Sequence, residues 1–86
     1  MVAIYGKEGC ERCEKAKEKM EILGIPYSVH SAEYHTTPHE GWKTDGSIDV
    51  LAASVMDESL PLIRVGGQVL GYAEAMRALK KARAAL

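Results

Sequence analysis

The chain has 86 residues, 47% hydrophobic and 27% charged, a balance that excludes disordered and collagen-like classes and suits one domain, 1–86, burying roughly 60–65% of its unfolded surface. Eleven basic against twelve acidic residues leave a net charge of −1, too little positive charge to neutralise a run of phosphates, so no nucleic-acid partner is expected. No stretch approaches the roughly 20 apolar residues of a membrane span, and Val2–Tyr5, followed by Lys7 and Glu8, is too short for a secretory leader; the expectation is a cytoplasmic monomer that does not enter a membrane.

Val2 to Tyr5 predicts a strand, and Gly6-Lys7-Glu8-Gly9 a turn leading to a helix that begins near Cys10 or Glu11 and runs to about Leu23. Cys13, Ala16, Met20 and Leu23 would face inward at spacings of three and four, with Glu11–Lys15 and Lys17–Glu21 as i,i+4 ion pairs outside. Gly24 and Pro26 stop this helix. Tyr27 to His30 alternates at period two and predicts a second strand. Residues 32–46 look like a loop: they hold Pro38, His35, His39 and Trp42, and end in the turn signal Asp45-Gly46.

Asp45 or Ser47 would cap a second helix with Ile48, Leu51, Ala52, Val55 and Met56 as its apolar face. Leu60 to Val65 predicts a strand, Gly66-Gly67 a hairpin turn and Gln68 to Leu70 the returning strand, closed by Gly71. A last helix from Tyr72 to Leu86 would bury Ala75, Met76, Leu79, Ala82 and Leu86, with Lys80, Lys81 and Arg83 toward its C-terminal end, where cations are favoured. The order is β-α-β-α-β-β-α, without internal repeat or low-complexity tract.

Cys10-Glu11-Arg12-Cys13 therefore falls at a strand-to-helix junction. Free N–H groups and the positive end of a helix favour a thiolate there. In a reducing compartment, two cysteines three apart point to catalysis or metal binding before a structural bridge, because closing so short a loop constrains the unfolded chain little. Thiol exchange needs an exposed attacking thiolate and a second thiol within reach to resolve the mixed disulfide. Cys10 at the helix edge suits the first role, and Cys13, one turn in on the apolar face, suits the second. Lys7 and Arg12 would favour the Cys10 thiolate and could contact substrate, while Glu8 and Glu11 oppose it; the bland alternative for Lys7 is a solvated loop lysine.

A second function class uses the same thiols as metal ligands, in a zinc or iron–sulfur carrier. His35-x-x-x-His39 has zinc-ligand spacing and would complete a Cys10, Cys13, His35, His39 set, but Pro38 interrupts the helical pair and 21 residues separate Cys13 from His35. His30 suits a structural role within a strand. Trp42, a large aromatic in a polar loop, either packs that loop down or contacts a partner.

The element order, the Cys-x-x-Cys after the first strand, Leu60-Pro61 at the head of the third and the run Val65-Gly66-Gly67-Gln68-Val69-Leu70-Gly71-Tyr72 together resemble the glutaredoxin branch of the thioredoxin superfamily. Lys7, three before Cys10, is similar to a lysine often seen there. The resemblance spans essentially the whole chain and implies an α/β, thioredoxin-like (glutaredoxin) fold: one mixed sheet ordered 2-1-3-4, the first and third helices on one face and the second on the other. It further implies a cis peptide before Pro61, a backbone edge at Leu60 that pairs with a substrate chain, and substrate contacts at Lys7, Arg12, Leu60, Pro61, Gly71 and Tyr72. The implied activity is dithiol–disulfide oxidoreduction on disulfide-containing protein clients or glutathione mixed disulfides, with no tightly bound cofactor. Where dithiol members of the family carry Pro-Tyr this chain has Glu11-Arg12, and Ala73-Glu74 follows Gly71-Tyr72. Both glutathione and a thioredoxin-reductase-like flavoprotein therefore stand as reductants.

Overall fold

The computed structural model describes residues 2–56 and 60–84. In chain order its elements are β1 (Val2–Gly6), α1 (Glu11–Leu23), β2 (Tyr27–Ser31), α2 (Ala32–Thr36), α3 (Ser47–Met56), β3 (Leu62–Val65), β4 (Gln68–Gly71) and α4 (Tyr72–Ala84). The four strands form one sheet in the order β2-β1-β3-β4. β1 runs parallel to β2 and antiparallel to β3, and β3 and β4 form an antiparallel hairpin. Its turn places Gly66 at φ 62°, a conformation glycine adopts without steric cost.

Central β1 is buried along its whole length, and its alternation divides the interior in two. Val2 and Ile4 point into one cluster with Ala16 and Met20 of α1, Ile63 of β3 and Ala75, Met76 and Leu79 of α4. Ala3 and Tyr5 point the other way, into a cluster with Ala32 of α2, Val50 of α3 and Leu62 of β3. Helices α1 and α4 thus cover one face, and α2 and α3 the other, as the expected sheet order and distribution of helices required.

Helix α1 has the expected bounds and buries Cys13, Ala16 and Met20. It ends where Gly24 takes φ 70° and donates its N–H to Glu21 O at 3.1 Å, while Ile25 N–H reaches Met20 O at 2.9 Å. This pair of bonds is a Schellman cap, and Ile25 packs against the cluster that holds Met20. The outer charges pair differently from the expected i,i+4 set. Lys17 joins Glu14 at 2.9 Å, and Glu21 instead accepts the Tyr27 hydroxyl at 3.0 Å, because β2 passes close beside the end of the helix.

Three further expectations are corrected. The described residues hold four helices rather than three, since the segment read as loop opens with the five-residue α2, capped by Ser31 Oγ accepting Tyr34 N–H at 3.1 Å. Gly6 is not part of the turn but the last residue of β1, paired with Ser31. In α3, among the residues whose burial is described, the buried ones are Ser47 and Val50, whereas Ile48 is 44% and Val55 77% exposed. The helix is rotated from the expected face because Ser47 Oγ bonds the His35 ring at 2.8 Å, turning the stripe through Ser47 and Val50 toward the sheet.

Trp42 is half-buried, with Lys43 Nζ 5.8 Å from its ring centroid. The predicted burial of Leu86 concerns a residue outside the described set. No helix among the described residues is long and apolar enough to cross a membrane.

Candidate functional site

The site begins where β1 ends. After Gly6 the chain turns through Gly9, at φ 76°, and delivers Cys10 to the N-cap of α1 in extended conformation, φ −87° and ψ 110°. Ser, Thr, Asp or Asn usually fill that position, where a side chain must satisfy a free helical N–H. Here sulfur does so: Cys13 N–H donates to Cys10 Sγ at 3.2 Å. Donation from a backbone amide at the positive end of a helix favours the ionised sulfur.

Cys10 is partly exposed and Cys13 only 3% exposed. Their Cα atoms are 5.2 Å apart and their sulfurs lie within disulfide-bonding reach. Cys10 is thus the more exposed of the pair, and Cys13 lies on the core side of the helix. Gly6 makes that placement possible. A Cβ added at Gly6 would stand 2.5 Å from Cys13 Sγ and 3.1 Å from Cys13 Cβ. Sequence reasoning took Gly6 for turn punctuation; the available signal was an inward-facing cysteine one helical turn after a strand that ends in glycine.

The Leu60-Pro61 peptide is cis, as the resemblance implied, and Pro61 is fully buried. The β1–β3 register pairs Tyr5 with Leu62, and the hairpin pairs Leu62 with Gly71. Continued by one residue, these registers align Gly6, Pro61 and Tyr72 across one end of the sheet, the end from which the cysteine turn departs. Tyr72 itself packs against the α1–α4 cluster.

Two grooves open at this end. The first, about 560 Å³, lies between α1 and β2 and is lined by Cys13, Lys7, Glu8, Lys17, Val29 and Glu33 among others. The second, about 440 Å³, lies between α2 and α3 and is lined by Lys7, Glu33, Thr36, Ser54, Leu60 and Leu62 with Ala32. Of the predicted substrate residues, Lys7 and Leu60 thus face a groove, and Lys7 connects it to the wall that holds Cys13. Arg12, Pro61, Gly71 and Tyr72 line neither groove.

The three histidines gather on the α2–α3 face, and His30 also lines the first groove. His30 stacks on Tyr5 at 5.3 Å, His35 meets Tyr5 edge-on at 5.0 Å, and His39 stacks on Tyr34 at 4.0 Å. His39 gives both ring nitrogens to acceptors, Nδ1 to Thr37 O at 2.8 Å and Nε2 to Asp45 Oδ2 at 2.7 Å, so the charged ring is favoured and its pKa is raised, the Asp45 bond contributing most. Asp45 is held well below the usual carboxylate range by His39 first and Ser47 second. His35 is pushed down, chiefly by burial. Arg64 ties the region to the sheet through Tyr5 Oη at 3.2 Å, Gly46 O at 3.1 Å and Asp49 Oδ2 at 3.3 Å.

The two histidines that would complete a zinc set are therefore engaged with Ser47 and Asp45. Among the described residues no group of three or more His, Cys, Asp or Glu is arranged to hold a metal ion. Spacing alone brings His35 and His39 together with the cysteines; the fold holds His35 on α2 and His39 in the segment that follows it. Compared with known proteins, the chain matches no family model and no curated sequence.

Proposed function

We propose that the protein is a dithiol–disulfide oxidoreductase on a thioredoxin-like, glutaredoxin-type fold, acting on disulfide-containing protein clients or glutathione mixed disulfides. One observation carries this: Cys10 Sγ sits at the N-cap of α1, partly exposed and accepting the Cys13 amide, with the shielded Cys13 sulfur within bonding reach.

In the reaction the Cys10 thiolate attacks one sulfur of the client disulfide. A Cys10–client bond forms, and the other client sulfur leaves as a thiolate that takes a proton from water. Cys13, deprotonated in turn, attacks Cys10 Sγ; the Cys10–Cys13 bond forms and the second client thiolate departs. Two electrons pass from the cysteine pair to the client. Glutathione or a thioredoxin-reductase-like flavoprotein returns them, and no tightly bound cofactor takes part.

Two substitutions test the assignment. Cys10→Ser removes the attacker and is expected to abolish reduction of a small disulfide. Cys13→Ser removes only the resolving thiol and is expected to accumulate a mixed disulfide on Cys10, visible as a mass increase that dithiothreitol reverses. Full activity in Cys10→Ser, or adducts on Cys13 instead of Cys10 in the wild-type protein, would overturn it.

A further inference from the structure

Helix α3 turns its apolar side to solvent. Ile48 is 44% and Val55 77% exposed, Ala52 is exposed and Leu51 half-buried, while Ser47 and Val50 take the inner side. Positions 48, 51, 52 and 55 are spaced three and four apart, so they form one stripe along the helix. A single exposed apolar residue, such as Ile22 on α1, is ordinary on a protein surface. A stripe of four is the pattern of a face that something covers.

The charges narrow what covers it. Helix α1 carries eight charged residues in thirteen, whereas α3 carries one in ten, Asp49, and Asp49 is already bonded to Arg64 Nη1 at 3.3 Å. The stripe therefore calls for an apolar, uncharged partner surface, and it meets that requirement itself. With two α3 helices antiparallel about a two-fold axis passing between Leu51 and Ala52, Ile48 lies opposite Val55 of the second copy and Leu51 opposite its Ala52. Each layer sets a larger side chain against a smaller one. The same axis places Asp49 across from Ser54, whereas a parallel pairing would oppose two aspartates. It also brings the N-terminal end of each helix beside the C-terminal end of its mate, which the helix dipoles favour.

We propose that α3 is the contact through which two copies of this chain associate as an antiparallel, two-fold pair. The contact is small. Four side chains on one ten-residue helix fall short of the roughly 800 Å² per partner of a standard interface, so pairing is expected to reach its midpoint at about 0.1–1 mM protein, and the dilute chain is the expected monomer. Cys10 lies at the N-cap of α1, whose body covers the opposite face of the sheet, so pairing and the dithiol chemistry are independent.

Sedimentation equilibrium of the whole chain, from about 10 μM to about 2 mM to bracket that midpoint, tests this. The mass is expected to rise from one copy to two, and added salt is expected to leave the midpoint unchanged or lower it, because the contact is apolar. Ala52→Glu, which sets two carboxylates side by side at the axis, and Val55→Lys are each expected to raise the midpoint at least tenfold while leaving the chemical denaturation midpoint near that of the wild type. Ile22→Lys, which removes an exposed apolar residue from α1, is expected to leave association unchanged. A wild-type chain that stays a single copy throughout leaves the stripe bare or open to a different protein, and would overturn the proposal. Assemblies larger than two, association that both α3 variants retain, or equal loss in Ile22→Lys would overturn it as well.

Discussion

At the scale of single residues, the site depends on a glycine as much as on its two cysteines. Gly6 leaves the space that Cys13 Sγ fills, so Gly6→Ala must displace the sulfur or the strand. Overpacking of this kind costs about 1–3 kcal/mol, and the Gly6→Ala protein is expected to unfold at lower denaturant with a slower resolving step. Gly67→Ala is the control: nothing stands within 4 Å of an added Cβ and its φ is not positive, so a change within about ±0.5 kcal/mol is expected. An unchanged denaturation midpoint in Gly6→Ala would remove the claim that this contact sets the position of Cys13. The closeness of Cys10 and Cys13 at a strand-to-helix junction was legible in the sequence, because their spacing and their place after an apolar run set it locally. The function of Gly6 was not, since it arises only when a helix packs back on the strand before it.

At the scale of elements, long periodic segments were legible and the segment between β2 and β3 was not. The inward face of α1 followed from its apolar spacing, and its end from Gly24 and Pro26. For α3 the apolar residues misled, because Ile48 and Val55 are exposed while polar Ser47 is buried against His35. A hydrogen-bonded polar group won the inner face, which hydrophobic periodicity cannot register. Val50→Ala, at a site with 0% exposure, is expected to cost roughly 1.5–3 kcal/mol, against less than about 0.5 kcal/mol for Val55→Ala. Comparable losses in chemical denaturation would place the wrong face on the sheet.

The same segment carries a dependence on pH with two opposing parts. The pKa of His39 is raised above the ordinary 6.5 by its bond to Asp45, so its contribution to stability is fully present below pH 6.5 and is lost as pH rises through the raised value. The pKa of His35 is lowered from 6.5, mainly by burial; its contribution is present above pH 6.5 and is lost as pH falls toward the lowered value. Melting temperature is therefore expected to fall on the alkaline side in wild type but not in His39→Gln, and to fall less on the acid side in His35→Gln. Parallel pH profiles in all three proteins would contradict the assigned protonation states.

At the scale of the whole molecule, the sheet order β2-β1-β3-β4 and the placement of helices on its two faces were legible. That arrangement is what the resemblance implied, and it is compatible with a right-handed parallel β-α-β unit followed by an antiparallel two-glycine hairpin. The fourth helix was hidden because α2 is short, largely polar and held by a serine cap rather than by an apolar stripe. The fold gathers at one end of the sheet the cysteine turn, the cis Leu60-Pro61 peptide and a groove lined by Lys7 and Leu60. The His39–Asp45 pair and the bonds of Arg64 to Tyr5, Gly46 and Asp49 serve instead to fasten the α2–α3 face.

The central claim is that Cys10 is the accessible, attacking member of the pair and Cys13 its shielded partner. Timed alkylation of the fully reduced, folded protein with iodoacetamide at neutral pH, followed by peptide mass spectrometry, reads this directly. The account predicts rapid modification confined to Cys10, with Cys13 modified only after unfolding. Equal labelling of both thiols, or earlier labelling of Cys13, would contradict it.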